Sequence, residues 1–232
     1  NGFRVEKPWD TNDLAFVSGT LKSAEVPFTP DEKTFQSLLK DTLGEAVEII
    51  SNNAGTADQI IHSQPTDSLL KIMMHRSDNF FAEQSLLMVS NVLLGKMNDR
   101  QIIDTLLKTD YKSLPQLPAW ADGSGLSRYN LFSPKDFIFI LNKMKDDFGM
   151  ERIKNILPTG GTGTISSYYL RDSGYIFAKT GTLNGVVALS GFLYTRTNKL
   201  LIFSILVNNH HSSATAIRRT IEKLLQNVRS KH

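Results

Sequence analysis

Residues 175–208 read YIFAKTGTLNGVVALSGFLYTRTNKLLIFSILVN, and this stretch decides the class of fold. It contains three β-rich apolar runs, 175–182, 186–195 and 200–208, separated by short polar segments. Asn184-Gly185 is typical of the tight turn in a β-hairpin, and Arg196-Thr197-Asn198 joins the last two runs in a similar way. Because strands joined by such short turns run antiparallel, the stretch predicts an antiparallel sheet.

Helical patterns lie on both sides of the predicted sheet. Thr29-Pro30-Asp31-Glu32 predicts a helix capped by Thr29 that continues to about Ile50, and Ser133-Pro134-Lys135-Asp136 predicts one that runs to about Phe148. Further helices are expected over about 66–75, from 79, over 99–108 and over 213–229. The side chains expected to be buried on the helix that begins at 79 are Phe80, Phe81, Leu87, Val92 and Leu93. Helices, then a sheet, then a closing helix predict an α+β fold.

Composition bounds the function. The chain has 232 residues, 41% hydrophobic and 21% charged, which is typical of a globular protein. A net charge of +3 is too weak to indicate nucleic-acid binding, and the absence of cysteine excludes disulfides, thiolate metal sites and a cysteine nucleophile. The longest apolar stretches, such as residues 200–207, are too short to be a transmembrane segment.

Three short segments carry side chains suited to acyl transfer. They are Ser77-Asp78-Asn79, Asp122-Gly123-Ser124-Gly125-Leu126-Ser127-Arg128 and Lys179-Thr180-Gly181-Thr182. A serine hydroxyl near a lysine can relay a proton, and an asparagine amide can hold a peptide carbonyl. A lysine with neighbouring threonine hydroxyls suits a substrate carboxylate. If the strand that carries this lysine lies at a sheet edge, it can pair with an extended peptide and offer a backbone N–H to an oxyanion.

Four separated runs of the chain carry a family resemblance. HRSDNFFAE (75–83), ADGSGLSRYN (121–130), LPTGGTGTI (157–165) and AKTGTLNGVVALSGF (178–192) resemble, in this order, the D-alanyl-D-alanine carboxypeptidase/endopeptidase family of penicillin-binding protein 4 type, peptidase family S13. Ser-Asp-Asn with Lys-Thr-Gly is also a signature shared by penicillin-binding proteins and class A β-lactamases. The resemblance implies a penicillin-binding/β-lactamase-like transpeptidase fold, with an antiparallel sheet, flanking helices and a helical subdomain.

The resemblance also implies a role for each segment. The catalytic residues would be Ser77, Asn79 and Lys179, and the substrate-binding residues would be Thr180, Gly181, Thr182, Gly125 and Leu126. In this scheme the N–H of Thr182 belongs to the oxyanion hole. The implied substrate is the D-Ala-D-Ala stem peptide of bacterial peptidoglycan, and β-lactam antibiotics would acylate the enzyme. The implied location is periplasmic or otherwise extracytoplasmic, and no cofactor or metal is expected.

The nucleophile of this family lies in a Ser-x-x-Lys motif, and neither copy of that pattern fits the role. Ser37 and Lys40 share the polar face of a predicted helix. Ser68 and Ser77, if helical, are separated by about 13 Å, too far for their hydroxyls to cooperate. We therefore expect an incomplete fold, inactive alone. Residues 1–28 would be the tail of an inserted β-rich domain, and residues 29–232 the C-terminal part of the peptidase domain of a longer chain.

Two other functions stay open. By family resemblance, a class A-like β-lactamase would need its Ser-x-x-Lys near Ser18, but Ser18-Gly19-Thr20-Leu21 has no lysine at the fourth position. It would also need a deacylating glutamate near 110–118, where none matches. A non-catalytic, peptidoglycan-binding relic of the fold would have lost the nucleophile altogether. The sequence that precedes Asn1 in the gene would distinguish the enzyme from the relic.

Other conspicuous residues have simpler interpretations. His210-His211 has no third ligand at a matching spacing, so a metal site is not expected there. The glycine loop 160–164 lacks the lysine of a phosphate-binding loop. The basic residues of the last helix are expected on its solvated face; they are Arg218, Arg219, Lys223 and Arg229.

Overall fold

The computed structural model describes residues 4–6, 15–18, 31–50 and 62–231, the first two ranges by their backbone alone. The chain divides into two compact units, Asn1–Ile61 and His62–His232. In the first unit, β1 (Arg4–Glu6) pairs antiparallel with β2 (Ala15–Ser18), and α1 spans Glu32–Leu43. The expected domain boundary between residues 28 and 29, which separates the tail of an inserted domain from the peptidase domain, stays a prediction.

Helix α1 has other ends than the sequence predicts. Its N-cap is Asp31, whose Oδ1 accepts a hydrogen bond from the Thr34 N–H at 2.7 Å, whereas Thr29 lies outside the described residues. The helix ends at Leu43 rather than near Ile50. The reason is Gly44, which adopts a left-handed φ of 71° and closes the helix by donating its N–H to the Lys40 carbonyl.

The second unit contains five α-helices and a three-stranded sheet among its described residues. The helices are α2 (Thr66–Arg76), α3 (Asn79–Leu94), α4 (Asp99–Lys108), α5 (Pro134–Ile156) and α6 (Ala214–Lys231). The strands are β3 (Ile176–Leu183), β4 (Val186–Tyr194) and β5 (Leu200–Asn208), antiparallel and adjacent in that order. The expected α+β fold is therefore confirmed. None of the helices within the described ranges is long and apolar enough to cross a membrane.

The two faces of the sheet pack against different helices. Ile176 and Ala178 of β3 belong to a buried cluster with Ile221 of α6, and the intervening Phe177 belongs to a second cluster with Ile153 of α5. Successive side chains of a strand point to opposite faces. Along β3, even-numbered residues therefore face α6, and odd-numbered residues, Lys179 among them, face the side of α5.

Close packing inside the sheet depends on one glycine. A Cβ on Gly191 of β4 would lie 2.1 Å from the Phe177 carbonyl oxygen of β3, closer than any side-chain atom can approach. At the end of β3, Gly185 completes the predicted Asn184-Gly185 turn with a φ of 77°. The register pairs Lys179 with Ser190 and so fixes the position of the lysine along the sheet.

Helix α5 begins as the sequence predicts and continues further. Ser133 and Asp136 form a reciprocal capping box, with the Ser133 N–H donating to the Asp136 carboxylate at 2.8 Å. The predicted end at Phe148 coincides with a kink at Gly149, after which helical geometry resumes to Ile156. The second segment carries Arg152, which pairs bidentately with Asp67 at 2.7–3.1 Å and joins α5 to the start of α2.

Helix α3 is less buried than its sequence predicts. Leu86 packs against α4, but Phe80, Val92 and Leu93 are 67%, 80% and 56% exposed. The prediction that these three side chains are buried was wrong. Apolar residues occur around most of the helix, whereas only the α4 side of α3 carries a buried cluster within the described part of the chain.

Candidate active site

Ser77 lies at a sharp junction between two helices. It ends α2 in the left-handed conformation, with φ 54°, and the Asp78 side chain then caps α3 by accepting a hydrogen bond from the Phe81 N–H at 3.0 Å. A residue with a side chain adopts positive φ at a cost in free energy. The turn nevertheless persists because helical hydrogen bonds hold it from both sides. It places Ser77 at the end of α2 and Asn79 at the start of α3, so the junction between the two helices carries both residues.

Lys179 meets Ser77 across 102 residues of sequence. Its ammonium group donates hydrogen bonds to the Ser77 hydroxyl and, at 2.8 Å, to the Thr180 carbonyl. No carboxylate within residues 31–50 and 62–231 forms an ion pair with it. Burial without a counter-charge lowers the pKa of Lys179 to about 8. At neutral pH the ammonium form of Lys179 therefore predominates, but its free-energy advantage over the neutral amine is smaller than for an exposed lysine.

The backbone of β3 offers unpaired hydrogen-bonding groups beside this lysine. The Ala178 N–H donates to the Pro158 carbonyl at 3.0 Å, on the side away from β4. Backbone groups of alternate residues point to the same side of a strand, so the N–H groups of Thr180 and Thr182 also point outward. Beyond Ala178, no described strand pairs with this edge. An extended peptide can therefore bind to it.

Asn79 and the loop residues are accessible. Asn79 opens α3 two residues after Ser77 and is exposed. Gly125 and Leu126 are also exposed, Leu126 to 59%. Ser77 and Lys179 are thus in direct contact, while the substrate-binding roles of Thr180, Gly181, Thr182, Gly125 and Leu126 stay predictions.

Glu83 holds the loop that carries Gly125 and Leu126. Its two carboxylate oxygens accept hydrogen bonds from the backbone N–H groups of Gly123 and Ser124 at 2.9 and 3.0 Å. Inside the loop, Asp122 accepts from the N–H groups of Gly125 and Ser127 at 2.6 and 2.7 Å. Asp122 therefore stabilises the turn of this loop, and α3 supports both Asn79 and the loop.

Sequence reasoning missed two long-range arginine contacts. Arg128 donates to the Asn184 carbonyl at 2.9 Å and so connects the loop to the turn after β3. Arg218, expected on a solvated face, is partly buried and donates to the Thr182 hydroxyl at 2.6 Å. No local pattern could have indicated either contact, because each joins side chains from distant parts of the sequence.

The Ser-x-x-Lys copies lie where the sequence suggests. Ser37 and Lys40 are both exposed on α1, in the first unit. Ser68 lies in the first turn of α2, whereas Ser77 ends that helix, so about 13 Å of helix axis separates them. Within the described part of the second unit, the ammonium group of Lys179 donates to Ser77 and Thr180 and not to Ser68. No group of three or more His, Asp or Glu side chains in the described ranges is arranged to hold a metal ion.

Comparison with known proteins assigns the chain to a family. Residues 27–228 match the model of the D-Ala-D-Ala carboxypeptidase 3 (S13) family. The carboxypeptidase DacB of Mycolicibacterium smegmatis is 29% identical over 167 residues, which cover 67% of this chain and 36% of the relative. The D-alanyl-D-alanine carboxypeptidase DacB of Haemophilus influenzae is 28% identical over 64% of this chain and 33% of its own length. The chain thus spans well under half the length of these relatives.

Solved structures share the fold. Penicillin-binding protein 4 of Haemophilus influenzae, complexed with a β-lactam, superposes with a TM-score of 0.63 at 26% identity, covering 72% of this chain and 42% of that one. The TLA-1 extended-spectrum β-lactamase superposes with a TM-score of 0.51 over 70% of this chain and 62% of that one, at 14% identity, and shows likeness of fold alone. The expected penicillin-binding/β-lactamase-like fold is therefore confirmed. By its match over most of its length, the chain belongs to the D-Ala-D-Ala carboxypeptidase 3 (S13) family.

Proposed function

We propose that this chain forms part of a serine-type D-Ala-D-Ala carboxypeptidase or endopeptidase that acts on peptidoglycan stem peptides and is acylated by β-lactams. One observation carries the proposal: the Lys179 ammonium donates to the Ser77 hydroxyl beside an unpaired strand edge. Membership of the S13 family and the names of its relatives support the same chemistry.

In this proposal the substrate binds as an additional strand. The outward N–H groups of Thr180 and Thr182 and the Thr182 carbonyl pair with the backbone of the stem peptide, while the Thr180 carbonyl accepts from Lys179. The Asn79 amide holds a peptide carbonyl from the opposite side of the groove, and Gly125 and Leu126 contact a substrate side chain. Gly181 keeps the face beside Lys179 open, because it projects no side chain there.

The catalytic step needs a proton route, and Ser77 with Lys179 supplies one. A serine oxygen attacks the carbonyl carbon of the terminal D-Ala–D-Ala bond, and the Thr182 N–H stabilises the oxyanion that forms. The Ser77 hydroxyl passes a proton to the departing D-alanine amine and receives the proton released by the nucleophile. The Lys179 ammonium holds the Ser77 oxygen in place and keeps the electrostatic potential of the groove positive.

The attacking serine is not assigned to a residue of this chain. Ser68 occupies the opposite end of α2 from Ser77, which argues against cooperation of the two hydroxyls. We propose that the nucleophilic Ser-x-x-Lys belongs to another segment of a longer protein. The substrate class further supports an extracytoplasmic location, because peptidoglycan lies outside the cytoplasm.

The test is release of D-alanine by the protein expressed from its complete reading frame. With a peptide ending in D-Ala-D-Ala, we expect D-alanine release that benzylpenicillin abolishes. Asn79→Ala should reduce kcat/KM, whereas Asn91→Ala, which removes an exposed asparagine further along α3, should leave kcat/KM unchanged. Absence of D-alanine release from the wild-type protein, or equal activity of the two variants, would contradict the proposal.

A further inference from the structure

The connecting loop, residues 157–163, lies between the two elements that carry Ser77 and Lys179. It belongs to the third of the four runs with a family resemblance, and no step of the proposed reaction uses it. Its first part lies beside β3, and its last part lies beside the end of α2. The loop is therefore a direct connection between the two halves of the site.

The first part of the connecting loop is bound to β3 next to Lys179. The Pro158 carbonyl accepts a hydrogen bond at 3.0 Å from the N–H of Ala178, which directly precedes the lysine. Thr159 forms an antiparallel bridge with Phe177. Pro158 is fully buried, so the loop cannot shift along the strand without breaking these bonds and exposing the Pro158 ring.

The last part of the connecting loop lies directly against the final turn of α2. A Cβ on Gly163 would be 3.0 Å from the His75 carbonyl oxygen and 3.1 Å from the His75 Cα. Only glycine fits there without displacing the backbone of the helix. Because His75 lies two residues before Ser77, a shift of its backbone also moves the serine.

The His75 side chain contacts the beginning of the same loop. Its ring forms a hydrogen bond with the Leu157 backbone. The Leu157 N–H is already donated to the Ile153 carbonyl at 2.9 Å, so the ring donates to the Leu157 carbonyl. The neighbouring Met74 packs against the buried cluster that contains Leu157 and Phe177. Backbone, ring and apolar contacts thus join the end of α2 to the loop.

Hydrogen bonds within the connecting loop hold its shape. The Thr162 hydroxyl donates to the Thr159 carbonyl at 2.8 Å and accepts from the Thr159 N–H at 2.9 Å. The Gly161 N–H donates to the Tyr168 carbonyl at 3.2 Å. These bonds fix the distance between the part of the loop that is bound to β3 and the part that lies against α2.

We propose that the connecting loop holds the Ser77 hydroxyl against the Lys179 ammonium. Gly163 and His75 are the positioning residues of this arrangement, and neither takes part in proton transfer. The inference rests on the proposed function, in which Ser77 passes a proton to the leaving amine. A shift of α2 relative to β3 should therefore slow acylation by the peptide.

The first test adds one methyl group at two positions of the loop, in the protein from its complete reading frame. Gly163→Ala places a Cβ against the His75 carbonyl, whereas Gly161→Ala places one in ordinary contact with the Leu170 side chain, at 3.6 Å. Both glycines have positive φ, 52° and 83°, so both replacements strain the backbone. Gly163→Ala should lower kcat/KM for D-alanine release about 10-fold, because misplacement of a catalytic group by about 1 Å can cost about 100-fold and the shift here is smaller. Gly161→Ala should change kcat/KM by no more than about twofold.

A thioester substrate distinguishes the positioning of Ser77 from a general loss of structure. A thiolate leaves without a proton, whereas the departing amine of the peptide needs one from Ser77. For a thioester with the same acyl group, Gly163→Ala should lower kcat/KM by no more than about threefold. Equal losses on the peptide and the thioester would overturn the inference.

His75→Ala is a second variant, which adds no backbone strain and removes the ring bond to Leu157. It should lower kcat/KM about 3- to 10-fold for the peptide and less for the thioester. Wild-type values of kcat/KM for the peptide in His75→Ala would overturn the role of His75.

Crystal structures of the two glycine variants separate the inference from the proposed activity. The Ser77 hydroxyl should lie further from the Lys179 ammonium in Gly163→Ala than in Gly161→Ala. The same distance in both variants overturns the inference, whether or not the protein is active. A wild-type protein that releases no D-alanine, with a longer contact in Gly163→Ala, refutes the proposed activity and leaves the positioning role supported.

Discussion

Replacing Lys179 by methionine should change how the stability of the protein depends on pH. Burial lowers the pKa of this lysine from 10.5 to about 8. Between these values the folded protein carries a neutral lysine, while the unfolded chain still binds the proton. Stability rises with pH wherever the unfolded state binds more protons. A difference of about 2.5 pKa units corresponds to about 3 kcal/mol.

The assay is urea denaturation of the wild-type protein and Lys179→Met at about pH 7 and about pH 10. The wild-type free energy of unfolding, relative to the variant, should rise by about 2–3 kcal/mol between the two conditions. Lys143→Met is the control. An ion pair with Asp147 at 2.9 Å raises the pKa of Lys143, so this lysine should contribute no rise in the free energy of unfolding between the two pH values. A wild-type-to-Lys179→Met difference that is the same at both pH values would refute the reasoning.

Three further predictions concern the site. Ser77→Gly relieves the left-handed backbone, so the unfolding free energy should fall by less than about 1 kcal/mol while D-alanine release falls about 100-fold or more; equal losses of stability and activity would contradict this. Glu83→Gln weakens the anchor of Gly123 and Ser124, and should cost about 1–2 kcal/mol in denaturant unfolding and raise KM; an unchanged KM would count against an anchored loop. In the protein from its complete reading frame, the rate of acylation by penicillin should fall as pH rises above about 8, because Lys179 loses its proton there. A rate that stays constant at alkaline pH would exclude a role for the charged form of Lys179.

The strands of the sheet could be predicted because their signals are local. The Asn184-Gly185 turn and the β-rich run that follows it lie next to each other in the sequence, and the hairpin formed with its turn at the predicted place. The capping box of Ser133 and Asp136 is equally local. Ser77 and Lys179 are distant in sequence, and only a family resemblance indicated that they meet.

Features that depend on distant neighbours could not be predicted. The apolar residues of α3 indicate what that helix can bury, but not which of its sides another element covers, so Val92 is exposed despite its type. The contact of Arg218 with Thr182 joins a helix to a strand 36 residues earlier, and nothing in either segment announces it. The predicted continuation of α1 to about Ile50 was wrong for a similar reason, because Gly44 ends the helix by its backbone conformation and not by a change to polar residues.

The most direct test of the account is a crystal structure of the penicillin adduct of the protein from its complete reading frame. We expect the penicilloyl group in the groove between the loop 122–130 and β3, with its amide side chain between Asn79 and the edge of β3. Its carboxylate should lie within hydrogen-bonding distance of the Thr180 hydroxyl. An adduct seated elsewhere, or one whose carboxylate points away from β3, would contradict the account.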